Sequence, residues 1–341
     1  TAVLTPQETQ EFFAQLELLK KQEYTIIIIT HKLKEIKQIC DRITIMKNGR
    51  FIGMFDVNAL SEAEISRLMV GRDIVQEVNK PSRKRGDIVL AVNHLSKITS
   101  GGKMLLNDVS FTCRQGEIVC LCGVEGNGQR ELVDIITGFD QDYSGQVMIN
   151  HQNINKKTIK QIRDMGESHI PEDRTLYGVD LASSIADNLI SIALTDVSNG
   201  IFINKKRVEE VSEEGIKNYQ IKCENAAQKV EMLSGGNMQK VVVARETRKT
   251  PSLLVANQPT RGVDIGAIEF IHKKIVDLSC DKTAVLLVSS DLTEVFRLAD
   301  KIIVFYAGKI VAKITNVSEI TEEELGLYML GLKSMDEVQD G

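Results

Sequence analysis

Two glycine-bearing segments have the composition to hold phosphate. The first, Gly123-Val124-Glu125-Gly126-Asn127-Gly128-Gln129-Arg130, follows the apolar run Ile118–Cys122 and opens a helical pattern from Glu131 to Thr137. Glycines between a strand and a helix let backbone N–H groups converge on an anion at the positive end of the helix. A triphosphate also needs a cation on its β and γ groups and a hydroxyl on its metal ion. Gln129 and Arg130 stand where the standard loop has Lys and then Ser or Thr, so both groups are missing. The second segment, Leu233-Ser234-Gly235-Gly236-Asn237, sets a capping serine and two glycines before a helix, which is another anion-accepting start. Downstream, the apolar strand Leu253–Ala256 ends in Asn257-Gln258-Pro259-Thr260. In a nucleoside triphosphatase such a strand end carries an Asp for the metal and then a Glu as base. Here both are neutral carboxamides. His31 ends a third apolar run, Tyr24–Thr30.

These residues lie in elements that occur twice. Residues 1–53 align without a gap on 260–312, an offset of 259, with matches at Thr1/Thr260, Leu33/Leu292, Glu35/Glu294, Asp41/Asp300 and Gly49/Gly308. The second copy has a long part before it, from about residue 88, and the first has none; Thr1 is not an initiator. The sequence is therefore expected to be a C-terminal piece of a longer tandem protein. Within copy one, helices are expected at 5–23 and 32–40, a buried parallel strand at Tyr24–Thr30, a strand at Arg42–Met46 and a turn at Asn48-Gly49. Farther on, strands are expected at 88–94, 106–112, 117–123, 252–256, 283–289 and 302–305. Helices are expected at 129–137, 205–219, 236–249 and 264–279. Alternating strands and helices predict an α/β fold with a parallel sheet, and the pieces at 88–112 an antiparallel subsheet at its edge.

The bulk composition bounds the rest. At 341 residues, with 43% apolar and 26% charged residues, the chain has the size of about two globular domains. A net charge of −5 argues against an extended nucleic-acid footprint. The one basic run, from Lys80 to Arg85, reads as a solvated linker. Six scattered cysteines without a C-x-x-C pair suggest neither zinc nor redox chemistry, and no metal site is expected within the chain.

LSGGN, followed by an apolar strand ending in Asn-Gln-Pro-Thr, resembles the nucleotide-binding domain of ABC transporters. SHIPEDR (Ser168 to Arg174), GNGQ (Gly126 to Gln129) and NQPTRGVDIGAIEFIHK (Asn257 to Lys273) resemble the second half of the tandem ATPases of nucleoside and simple-sugar importers. TAVLTPQE (Thr1 to Glu8) and THKLKEI (Thr30 to Ile36) resemble the first half, so the likeness runs from 1 to about 330. It implies a P-loop ABC ATPase nucleotide-binding domain, one complete copy at 88–330 preceded by the C-terminal part of another at 1–72, joined by a linker at 73–87. The two domains would face head to tail, each ATP lying between the phosphate loop of one and the LSGG of the other.

The resemblance assigns roles residue by residue. His31 matches the switch histidine that meets the γ-phosphate, and Ser290 stands in its place in copy two. Ser234, Gly235, Gly236 and Asn237 form the signature. Glu172 takes the place of the Q-loop glutamine, Asp264 lies in the D-loop, and Ile98 or its neighbours sit where an aromatic ring would stack on adenine, with none present. ATP and Mg²⁺ are expected at the composite site completed by the first-half phosphate loop, with the fragment alone inactive. Membrane-spanning permease subunits are the expected partners, an extracytoplasmic substrate-binding protein an indirect one, and nucleic acid none. The expected place is the cytoplasmic face of the membrane, peripherally bound. Two other readings are an ABC protein acting on ribosomes, disfavoured by the short linker and degraded site, and an inactive fragment.

Overall fold

The computed structural model describes residues 6–30, 33–47, 50–70, 81, 83–200 and 202–335. His31, the Asn48-Gly49 turn and most of the expected linker lie outside the described residues.

The main sheet has six strands, in the order Lys309–Ile314, Lys301–Tyr306, Ile118–Cys122, Ala284–Val288, Leu253–Asn257 and Glu167–Ile170. Its first pair is antiparallel and all others are parallel. The three central strands are buried at every residue, as expected where helices cover both faces of a parallel sheet. Side chains alternate between two cores. Cys120, Cys122, Leu254, Ala256, Val285 and Leu287 enter one, and Val119, Leu121, Leu253, Val255, Ala284 and Leu286 enter the other. The second core is shared with helix Gln129–Thr137 and with a separate four-stranded antiparallel sheet, ordered Met104–Arg114, Ile88–Ile98, Ser144–Ile149 and Gln152–Asn153. The subsheet expected at the edge is thus a second layer. The first core takes helices Gly235–Thr247 and Ile265–Cys280, together with Ile185–Ile190.

The repeat is visible in the elements. Helices Pro6–Lys21 and Leu33–Ile39 recur as Ile265–Cys280 and Leu292–Leu298, and hairpin Arg42–Lys47/Arg50–Asp56 recurs as Lys301–Tyr306/Lys309–Ile314. Both hairpins even slip register at the same place, between Ile45 and Met46 and between Val304 and Phe305. One element fails. The segment expected as a strand at Tyr24–Thr30 forms no strand among the described residues, and Ile27 is 88% and Ile29 98% exposed. Its counterpart, Ala284–Val288, is held between Ile118–Cys122 and Leu253–Asn257. A buried parallel strand needs ladder partners on both sides, and the described residues supply none in copy one. The basic run also departs from a solvated linker. The Arg83 side chain is only 9% exposed and donates to both oxygens of Asp300, at 2.9 and 3.0 Å. Asp300 in turn accepts from the Ile118 N–H at the base of the phosphate-loop strand.

Candidate functional site

The glycine loop keeps the shape of a phosphate cradle. Gly123, Gly126 and Gly128 all have positive φ, and Gly128 caps the helix without a side-chain acceptor. A Cβ at Gly128 would meet the Leu105 carbonyl at 2.9 Å, so only glycine fits. Asn127 ties the loop to the sheet by accepting from the Ala307 N–H at 2.7 Å and donating to the Val124 carbonyl at 3.0 Å. The side chains do not suit a metal-bound triphosphate. Gln129 is buried and turns inward, its Nε2 donating to the Val124 carbonyl at 3.3 Å and lying 2.5 Å from where a Gly123 Cβ would be. Arg130 points along its helix, 3.8 Å from Asp134. At the facing strand end, Gln258 adopts φ 49° and accepts from both the N–H and the hydroxyl of Ser290, each at 3.3 Å. Asn257, also at this strand end, is buried. Asn257, Gln258, Ser290 and Arg130 offer Mg²⁺ no carboxylate, so this donor set does not fit the ion. Ile98, half exposed at its strand end, offers no ring for a base.

The signature segment lies on a different part of the fold. Ser234 caps helix Gly235–Thr247, accepting from the Asn237 N–H at 3.4 Å and from its Nδ2 at 2.9 Å. Asn237 also accepts from the Lys222 N–H at 2.9 Å. Both glycines have close neighbours. A Cβ on Gly235 would lie 2.9 Å from Arg174 Nη2, and one on Gly236 would collide with the Asp264 carboxylate. Asp264 is itself fixed as the cap of helix Ile265–Cys280, accepting from the Ala267 N–H at 3.0 Å. Glu172 pairs with Arg261, while Gln239 Nε2 donates to the Pro259 carbonyl at 2.8 Å. The loop from Gln258 to Asp264 is therefore tied to both the Q-loop place and the signature helix. Arg174 and Arg261 carry these ties; sequence reading gave Arg261 no role, and gave Arg174 only a place in the segment near Glu172–Arg174 that the resemblance implies as permease-docking surface.

A groove of about 1040 Å³ opens beside the phosphate-loop helix, rimmed by exposed Phe139, Leu176 and Tyr177. Its floor holds a buried ionic cluster. Glu246 binds Arg163 Nη2 at 2.5 Å and Arg245 Nε at 2.9 Å. On the adjoining strand, Glu167 Oε1 and His169 Nε2 are sealed from solvent without a hydrogen-bond partner among the described residues. Burial pushes Glu167 up to about 8, against the pull of Arg163. Burial likewise pushes His169 down to about 4. The folded state therefore holds an extra proton on Glu167 above the unfolded carboxyl range, and that stability is lost as pH rises towards 8. His169 acts oppositely, but only below about pH 6.5, where an unfolded histidine charges. Between pH 6.5 and 8 the Glu167 effect stands alone and is worth about 1.4 kcal/mol per pH unit. Urea midpoints should show wild type losing roughly 2 kcal/mol across that interval relative to Glu167→Gln. A difference that stays constant or changes sign would refute the assignment.

Comparison with known proteins places these features. The ABC transporter family model matches residues 106–261. The chain is 39% identical over 333 residues to the guanosine import ATP-binding protein NupO of Bacillus subtilis, covering 97% of this chain and 65% of that protein. It is 34% identical to the nucleoside import ATP-binding protein NupA of Lactococcus lactis, at 97% and 66% coverage. It is 32% identical to the ribose import ATP-binding protein RbsA of Clostridium tetani, at 98% and 65%. The chain thus spans just under two thirds of the length of these relatives. Among solved structures, a nucleotide-free ATP-binding cassette from an ABC transporter is similar with a TM-score of 0.56 and 22% identity, over 66% of this chain and 90% of that one. A dimeric cassette in a post-hydrolysis state bound to ADP and Pi is similar with a TM-score of 0.58 and 20% identity, over 67% and 99%. Among the described residues no helix is long and apolar enough to cross a membrane. The chain is thus built on the fold of an ABC ATPase nucleotide-binding cassette, and over nearly its whole length it is similar to ATP-binding proteins of nucleoside and sugar importers.

Proposed function

We propose that this chain supplies one side of the single working ATPase site of an importer for nucleosides or simple sugars. The signature residues Ser234, Gly235, Gly236 and Asn237 close on an ATP held by the phosphate loop of the first cassette. The backbone N–H groups at the start of helix Gly235–Thr247 face its γ-phosphate, and His31 acts at the same site. Mg²⁺ is carried with that ATP and neutralises its phosphate charge. The second phosphate loop keeps its fold and does no hydrolysis. Membrane-spanning permease subunits receive the closure as a two-state movement, and an extracytoplasmic binding protein delivers the substrate to them. The ATPase sits peripherally on the cytoplasmic face.

The observation that carries this reading is the contrast between the two anion sites. One has a capped helix start with its glycines intact. The other has Gln129 folded into its own loop and carboxamides at its strand end. Charge-assisted hydrogen bonds are worth about 1.5–3 kcal/mol each. Losing two or three costs roughly 5 kcal/mol, or several thousandfold in affinity. In the assembled importer, Gln258→Ala should leave ATP turnover within about twofold of wild type, because a carboxamide is no general base. A tenfold or greater loss would overturn the asymmetric assignment.

A further inference from the structure

Arg174 belongs to a five-residue helical turn, Arg174–Gly178, that lies between the groove and the signature. Leu176 and Tyr177 of this turn are exposed and line the groove. The Arg174 side chain also borders the groove and reaches the loop that carries Arg261 and Gly262. Its Nη1 donates to the Arg261 carbonyl at 2.8 Å and its Nη2 to the Gly262 carbonyl at 3.2 Å. The same Nη2 lies 2.9 Å from where a Gly235 Cβ would stand. Gly262 has φ +66°, so these carbonyls belong to a turn whose backbone is not in an ordinary helical or extended state. One planar guanidinium therefore spans two successive carbonyls and occupies the space that a side chain at the first signature glycine would need. A lysine ammonium, as a point donor, cannot reproduce that planar fork. Arg174 Nε is sealed without a partner among the described residues. The cation is thus held in a partly desolvated place by carbonyl dipoles, with no carboxylate bonded to it. Glu172 nearby is taken by Arg261.

We propose that Arg174 is a positioning residue for the working site, fixing the loop 258–264 and the signature glycines in one register. The role at the working site rests on the reading given above; the positioning does not. Hydrogen exchange on the intact protein without nucleotide tests the positioning. The reporters are the amides of Arg261, Val263 and Met238, which bond to Gln258, Thr260 and Ser234 carbonyls. Arg174→Met keeps bulk and removes both donors. Exchange at these three amides should rise tenfold or more, while strand amides of Leu254 and Val255 hold their rates. Arg174→Lys should fall between, since it can satisfy one carbonyl. Unchanged exchange at the three amides overturns the proposal. An equal rise at Leu254 and Val255 overturns it too, because that reports global destabilisation. In the assembled importer, Arg174→Met should raise KM for ATP by a larger factor than it lowers kcat, and Arg174→Lys should recover part of it. A fall in kcat at constant KM refutes the role at the working site. Wild-type protein with no turnover would instead strike the functional reading and leave the exchange result standing.

Discussion

Replacing His31 by alanine should lower ATP turnover of the assembled importer by at least about 100-fold, the lower end of what a positioned acid–base group contributes. The expectation rests on the comparison between copies. The resemblance of THKLKEI places an imidazole at His31, where copy two has Ser290. Ser290 is spent on Gln258, a pair of neutral groups that cannot move a proton at neutral pH. In copy one the residue before His31 is fixed from the other side. Thr30 Oγ1 donates to the buried Glu35 at 3.0 Å. In copy two the matching Glu294 accepts from Thr260 at 2.9 Å and meets His272 at 2.8 Å. The matching glutamate is thus hydrogen-bonded at the start of the same helix in both copies, while the residue in the place of His31 is Ser290 in copy two. Single-turnover measurement with ATP prebound separates chemistry from binding. The His31→Ala rate should collapse while nucleotide affinity changes little. Turnover within fivefold of wild type would show that the working chemistry lies elsewhere.

What could be read from the chain alone was local in it. Helices Gln129–Thr137, Lys205–Asn218 and Ile265–Cys280 begin and end within one or two residues of expectation, because apolar period and capping residues lie inside each segment. The loop-to-helix turns at Gly123–Arg130 and Leu233–Asn237 were legible for the same reason, as was the missing lysine. Partnership was not legible. The β-branched run Tyr24–Thr30 favours an extended backbone but says nothing of its neighbours, and among the described residues it joins no sheet. Conversely, Glu167–Ile170 carries two titratable side chains in four residues and does not read as a core strand. It is one because Leu253–Ala256 pairs with it. Arg83 read as a linker charge because its partner, Asp300, is 217 residues away. The groove floor was hidden in the same way, since Arg163 and Glu246 are 83 residues apart.

That groove floor yields the largest stability effect expected in the molecule. Glu246 is 1% exposed and binds two arginines, Arg163 at 25% and Arg245 at 11% exposure. It also accepts from the His169 N–H at 3.4 Å. Burial alone would lower the Arg163 pKa, yet the charge and hydrogen bond of Glu246 outweigh it and raise it. Glu246→Gln keeps the shape and removes the charge, leaving two largely buried guanidinium groups uncompensated. Removing one partner of a buried pair costs about 3–5 kcal/mol. In a domain of this size that corresponds to a fall of roughly 6–20 °C in Tm. The cost belongs to the stranded charges and not to the loss of a strong attraction, so a second change should relieve it. Arg163→Met added to Glu246→Leu replaces an ion pair by apolar contact, and such exchanges are often neutral or better. The double variant should melt above Glu246→Leu alone, because only Arg245 is then left without its carboxylate. If the effects of Arg163→Met and Glu246→Leu simply add, the two groups are not coupled and the cluster does not hold the groove floor together. If they cancel, the ion pair is tolerated for its geometry, which keeps strand Glu167–Ile170 and the end of the signature helix in fixed relation beneath the groove.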